Sequence, residues 1–130
     1  MAELDGSILD ETKRQLGLDP EDDSFDIEII THINSIFFIL HQLGVGPEAG
    51  FMISDRSSKW SEFIGVEYII AVKTYMGLRV RLIFDPPATG PATEAMERQA
   101  GQMEWRLNVH MEGVKWGEAL ATSLPTLESS

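Results

Sequence analysis

The stretch SFDIEIITHINSIFFILHQLG, residues 24–44, decides the fold. Its apolar residues Ile29, Ile33, Ile36, Leu40 and Leu43 step by four, three, four and three, the spacing of one buried face of an α-helix. Ser24 opens the helix, and Asp26 and Glu28 stand in its first turn, where carboxylates favour the positive end of the helix dipole. Gly44 closes it in the usual C-terminal glycine position. Within it, Ile36-Phe37-Phe38-Ile39-Leu40 is apolar in every direction, whereas a surface helix needs only one stripe. This segment is either central to the domain or covered by another chain.

Upstream, Ser7 followed by Asp10 is a weak N-capping pattern. Ile8, Leu9, Thr12 and Leu16 give a thin stripe that Gly17 stops, so residues 1–17 read as a peripheral helix. The turn Asp19-Pro20-Glu21-Asp22-Asp23 lacks the glycine and distal glutamate of a calcium loop and reads as solvated. Downstream, residues 44–58 form a connection long enough to imply binding or mobility. In it Phe51 and Ile53 alternate with Met52 and Ser54, too briefly for a sheet. Trp60, Phe63 and Ile64 predict a single helical turn closed by Gly65.

A third helix is expected from about Val66 to Phe84, with Ile69, Val72, Met76, Val80 and Ile83 on one face. Pro86 disfavours helical backbone at Asp85, so the helix stops there, and Asp85-Pro86-Pro87 forms a structural hinge. Pro91 suits the first turn of a fourth helix, whose stripe is Met96, Ala100, Met103, Leu107 and Met111 and whose end is Gly113. Gly77 and Gly101, inside these helices, are expected where the two cross closely. From Val114 the character changes. Trp116, Leu120, Leu124 and Leu127 are spaced apolar anchors, but Gly117 and Pro125 weaken a helix, leaving either a docking arm or a frayed tail. The expected fold is all-α: about four helices over residues 1–113, a long loop after the second helix, and a loosely structured C-terminal arm over 114–130.

The chain has 21 acidic and 10 basic groups, for a net charge of −11, and ten of the acids lie in residues 1–28. That balance offers no basic footprint for gripping nucleic acid. The acidic end is either a solvated arm or a surface for a basic partner. The absence of cysteine excludes disulfides and thiolate chemistry. No apolar run approaches a membrane span, and the N-terminus lacks a signal-peptide pattern, pointing to folding in a reducing cytoplasm.

Nothing in the sequence resembles a catalytic motif. His32 and His41 lie nine residues apart on one helix and face different directions, and His110 suits a helix C-terminus. Neither a catalytic group, a cofactor nor a metal is expected. Arg79 and Arg81 point about 200° apart on their helix. Each either snorkels to a local carboxylate such as Asp85 or Glu104, or reaches a neighbouring chain. The candidate interface residues are Phe51, Ile53, Arg79, Arg81, Trp116, Leu120, Leu124 and Leu127.

Several segments in order resemble the small helical head–tail connector proteins of tailed bacteriophages. They are Asp22-Asp23-Ser24-Phe25-Asp26, Ile30-Thr31-His32-Ile33-Asn34-Ser35, Gln42-Leu43-Gly44-Val45-Gly46 and Gly50-Phe51-Met52-Ile53-Ser54-Asp55 with Trp60. Val72-Lys73-Thr74-Tyr75, Leu82-Ile83-Phe84-Asp85-Pro86-Pro87 and Glu104-Trp105-Arg106-Leu107-Asn108 complete the set, and the resemblance covers about residues 18–113. It implies a helical bundle without enzymatic activity or cofactor. Such proteins assemble as a ring, usually of twelve copies, in the neck of the virion between the portal and a tail or stopper protein. DNA passes through the ring without specific binding. The C-terminal segments of such proteins commonly reach the portal. The competing reading is a small cytoplasmic adaptor or regulator that binds one protein partner.

Overall fold

The computed structural model describes residues 6–65 and 68–123, with side chains up to residue 117. The helices are α1 (Ile8–Gln15), α2 (Asp26–Gln42), α3 (Trp60–Phe63), α4 (Ile69–Phe84) and α5 (Gly90–Ser123), and there is no strand among the described residues. None of the helices is long and apolar enough to cross a membrane among those residues.

Helix α4 is the centre of the bundle, packed against α1, α2 and α5. The α4–α5 pair is an antiparallel hairpin: Tyr68 meets the His110 ring at 4.9 Å, and seven residues on Tyr75 reaches Glu104. Phe25, just before α2, meets Phe84, at the end of α4, edge-on at 5.4 Å. Helix α2 therefore also runs antiparallel to α4. The α2 face is as the spacing predicts, with Ile29, Ile33, Ile36 and Leu40 buried. On α4, Ile69, Val72, Tyr75, Met76 and Val80 are buried, but Ile83 is half exposed, at an open depression it shares with Ile36 and Ile39 of α2 and Glu97 of α5.

The start of α2 differs from expectation. Phe25, not Ser24, occupies the cap position, because Ser24 is drawn back to Asp22: its N–H and hydroxyl both donate to Asp22 Oδ1, at 3.0 and 2.6 Å. These two bonds, the hydroxyl first, hold the Asp22 carboxyl below its usual range.

Helix α1 is not peripheral. Ser7 Oγ accepts the Asp10 N–H at 3.2 Å, and Ile8, Leu9, Thr12 and Lys13 are all buried between α2 and α4. The buried Lys13 ammonium donates to Asp26 Oδ1 (2.6 Å) and to the Pro20 carbonyl (3.0 Å), so it closes the acidic turn from beneath.

The connection after α2 is ordered around an aromatic cluster. Phe37 sits 5.0 Å from Phe51, 4.6 Å from Phe63 and 6.3 Å from Trp60, centroid to centroid. Each such pair contributes about 0.5–1.5 kcal/mol beyond its area burial. Gly46 makes this packing possible. Its φ is +93°, and a Cβ there would lie 2.4 Å from the Phe63 ring. Residues 51–54 keep their alternation without a sheet partner: Phe51 and Ile53 face inward, and Met52 and Ser54 face out. The Asn34 side chain takes the place of the missing strand. Its Oδ1 accepts the Ile53 N–H (2.8 Å), and its Nδ2 donates to the Ile53 carbonyl (3.0 Å).

Two expectations about glycine fail. Gly77 marks a close approach, but to α1: an added Cβ would lie 1.9 Å from Gln15 Oε1, whereas Gly101 faces open space. Nor does Gly113 end the last helix. Helix α5 continues through Gly113 and Gly117 to Ser123, since glycine keeps the N–H that proline would remove.

Candidate interaction surfaces

The sequence-predicted residues separate into internal and external groups. Ile53 is 3% exposed and lies in the core, so the outward residue of its segment is Met52. Phe51 is half-buried and lines an open groove of about 550 Å³ with Asn34, Phe37, Phe38, His41 and Met52. His41 Nε2 is hydrogen-bonded to the Glu48 carbonyl at 2.8 Å, which holds the rim of the groove.

Arg79 is engaged within its own chain. Its Nε donates to Glu104 Oε2 at 2.9 Å, its Nη2 reaches the same oxygen, and its guanidinium lies 5.7 Å from the centre of the Tyr75 ring. The Tyr75 hydroxyl donates to that oxygen too, at 2.6 Å. Burial, and then the bond to the Glu104 carboxylate, push the Tyr75 phenol well above its ordinary value, with Arg79 pulling the other way. The cluster therefore clamps α4 to α5. Arg81, two residues on, is exposed and has no salt bridge among the described residues.

The Asp85-Pro86-Pro87 segment is the α4–α5 turn. Asp85 leaves helical backbone at φ −150°, ψ 72°, and its N–H closes α4 on the Arg81 carbonyl at 2.9 Å. The Pro87 carbonyl accepts from the Thr93 hydroxyl at 3.4 Å, tying the turn to α5.

Trp116 is 66% exposed on α5. Leu120 lies on the same helix, and its side chain is outside the described residues, as are Leu124 and Leu127 altogether.

Besides Trp116, several large apolar groups are exposed that the spacing argument did not single out: Ile27 and Phe38 on α2, Met52 in the connection, Ile70 on α4, and Trp105 and Val109 on α5. The signal was available for two of them. Phe38 belongs to the all-round apolar segment and is 62% exposed, so that segment is both core and surface. Trp105 lies off the Met103–Leu107 stripe and could have been marked on that ground. Among the described residues, no group of three or more His, Asp or Glu could hold a metal ion.

No curated protein and no solved structure matches the chain. The profile of the phage connector protein family matches residues 8–114. That span includes α1, which lay outside the sequence resemblance. A match that begins at the first residue of α1 and takes in every packed element up to Val114 shows that the chain belongs to the phage connector protein family.

Proposed function

We propose that the protein is a structural component of the virion neck. Copies form a ring, in the family's manner of about twelve, between the portal and the tail or a stopper protein, and the ring extends the DNA channel and completes the head. The observation that carries this reading is the family match over the entire bundle. Its role is assembly rather than catalysis, in keeping with a surface whose most prominent features are exposed apolar residues on α2 and α5. A net charge of −11 favours passage of DNA over adhesion to it. The loop residue Phe51, the exposed Arg81 and the C-terminal anchors Trp116, Leu120, Leu124 and Leu127 serve contacts with neighbouring copies and the portal.

The test is to add purified protein to isolated portal complexes and image the products. A ring stacked coaxially on the portal is expected. A monomer that ignores the portal but binds one soluble protein in a stoichiometric complex would overturn the reading in favour of an adaptor.

A further inference from the structure

Two exposed stripes on different helices carry large apolar residues the same distance apart. On α2, Ile27, Thr31, Ser35, Phe38 and Gln42 are all exposed, and none is charged. The Thr31 hydroxyl donates to the Ile27 carbonyl (2.9 Å) and the Ser35 hydroxyl to the Thr31 carbonyl (3.0 Å). The ridge can therefore be covered without orphaning either hydroxyl. On α5, Trp105, Val109 and Trp116 are exposed along one side, with Glu112 among them. From Ile27 to Phe38, and from Trp105 to Trp116, is the same number of residues: about 16 Å of rise and about three turns. The apolar ends Ile27 and Phe38 are thus as far apart as Trp105 and Trp116, and the α2 ridge runs one turn further, to Gln42.

We infer that the α2 ridge of one copy seats on the Trp105–Trp116 stripe of a second copy, forming a head-to-tail contact. The inference rests on the ring reading above and assigns its faces. Two different surfaces on one chain are what a closing heterologous contact requires. Where the two helices run in the same direction, the charges at one end of the stripes are complementary. Residues 24–44 contain no lysine or arginine, and the exposed Asp23 and Glu28 lie at the start of the ridge. Arg98, in line with Trp105, and Arg106 beside it are exposed and form no salt bridge among the described residues. At its other end the ridge borders the 550 Å³ groove between Phe38 and Met52, which has room for an indole, and buried aromatics in such pockets are typical interface anchors. Whichever way the helices run, Glu112 falls opposite Ser35 or Thr31, whose hydroxyls can turn to donate to it.

The absence of native cysteine makes the test direct. Phage particles are built with Thr31→Cys plus Val109→Cys, which meet if the helices dock in the same direction, or Ser35→Cys plus Val109→Cys for the opposite direction. They are oxidised and run on a non-reducing gel. A ladder of multimers from one double variant is expected, with no ladder from any single variant. Cross-linking by a single variant, or monomers only from both double variants present in particles, would overturn the inference and leave the ring reading standing. Absence of the wild-type protein from particles would remove both. As a second measurement, Trp105→Asp should cut incorporation into particles at least tenfold with an unchanged melting temperature, and normal incorporation would again overturn the inference.

Discussion

Lys13 Nζ lies 2.6 Å from Asp26 Oδ1 with its side chain only 1% exposed, and this pair fastens α1 to the first residue of α2. Removing one partner of a buried pair leaves the other uncompensated. Asp26 keeps 26% exposure, which softens the penalty. Lys13→Ala is expected to cost about 3 kcal/mol in urea unfolding. Lys13→Met, which keeps the apolar stem, should cost clearly less.

Gly46 and Gly77 both have crowded Cβ positions and should respond differently. At Gly46 the positive φ costs an L-residue about 1–2 kcal/mol, and the obstacle is a Phe63 ring held by Phe37 and Phe51. Gly46→Ala should therefore lose about 3 kcal/mol. At Gly77 the obstacle is the end of the exposed Gln15 side chain, which can swing aside at the expense of its 3.2 Å bond to the Lys73 carbonyl. Alanine's better helix propensity, about 1 kcal/mol, offsets that loss. Gly77→Ala should leave the urea midpoint nearly unchanged.

Tyr75 must keep its proton to donate to Glu104, and in the folded chain its ionisation is pushed above the ordinary value. In the unfolded chain it ionises near ~10. The stability it contributes is complete below about pH 10 and is lost as pH rises through the higher folded value. Unfolding free energy measured across alkaline pH should fall more steeply for the wild type than for Tyr75→Phe.

Asn34 does the work of a strand partner for Ile53. Asn34→Ala leaves both backbone groups of Ile53 without their partner, at about 1–3 kcal/mol. Asn34→Asp restores only the acceptor and should fall between alanine and wild type in thermal melts.

The helices were legible wherever one periodic face met one partner. The Ile29–Leu40 face, the stop at Asp85 and the single turn at Trp60 follow from spacing and proline sterics, and the structure has each of them. Pairings between distant positions were not legible. Nothing local to Lys13 reveals that it is buried on Asp26, and nothing local to Gly77 reveals Gln15 above it. Gly113 misled because a glycine weakens a helix by about 1 kcal/mol without forbidding it. Of the alternating pair Phe51 and Ile53, Ile53 lies in the core, which its spacing alone did not reveal, while Phe51 is half-buried at the groove. Of the candidate contacts, Arg81 and Trp116 are exposed on the helices.

Helix α5 passes Gly44 at Lys115, whose ammonium lies beside it, and runs on to Ser123. The stretch beyond Lys115 works as a ruler with a phase. Inserting seven residues into it would extend its reach by about 10 Å while turning the tip only about 20°. Deleting two would shorten it by about 3 Å and swing the tip by about 200°. Length variants of this chain are therefore governed by helical phase before distance, and whole-heptad changes are the ones that keep the tip facing the same neighbour.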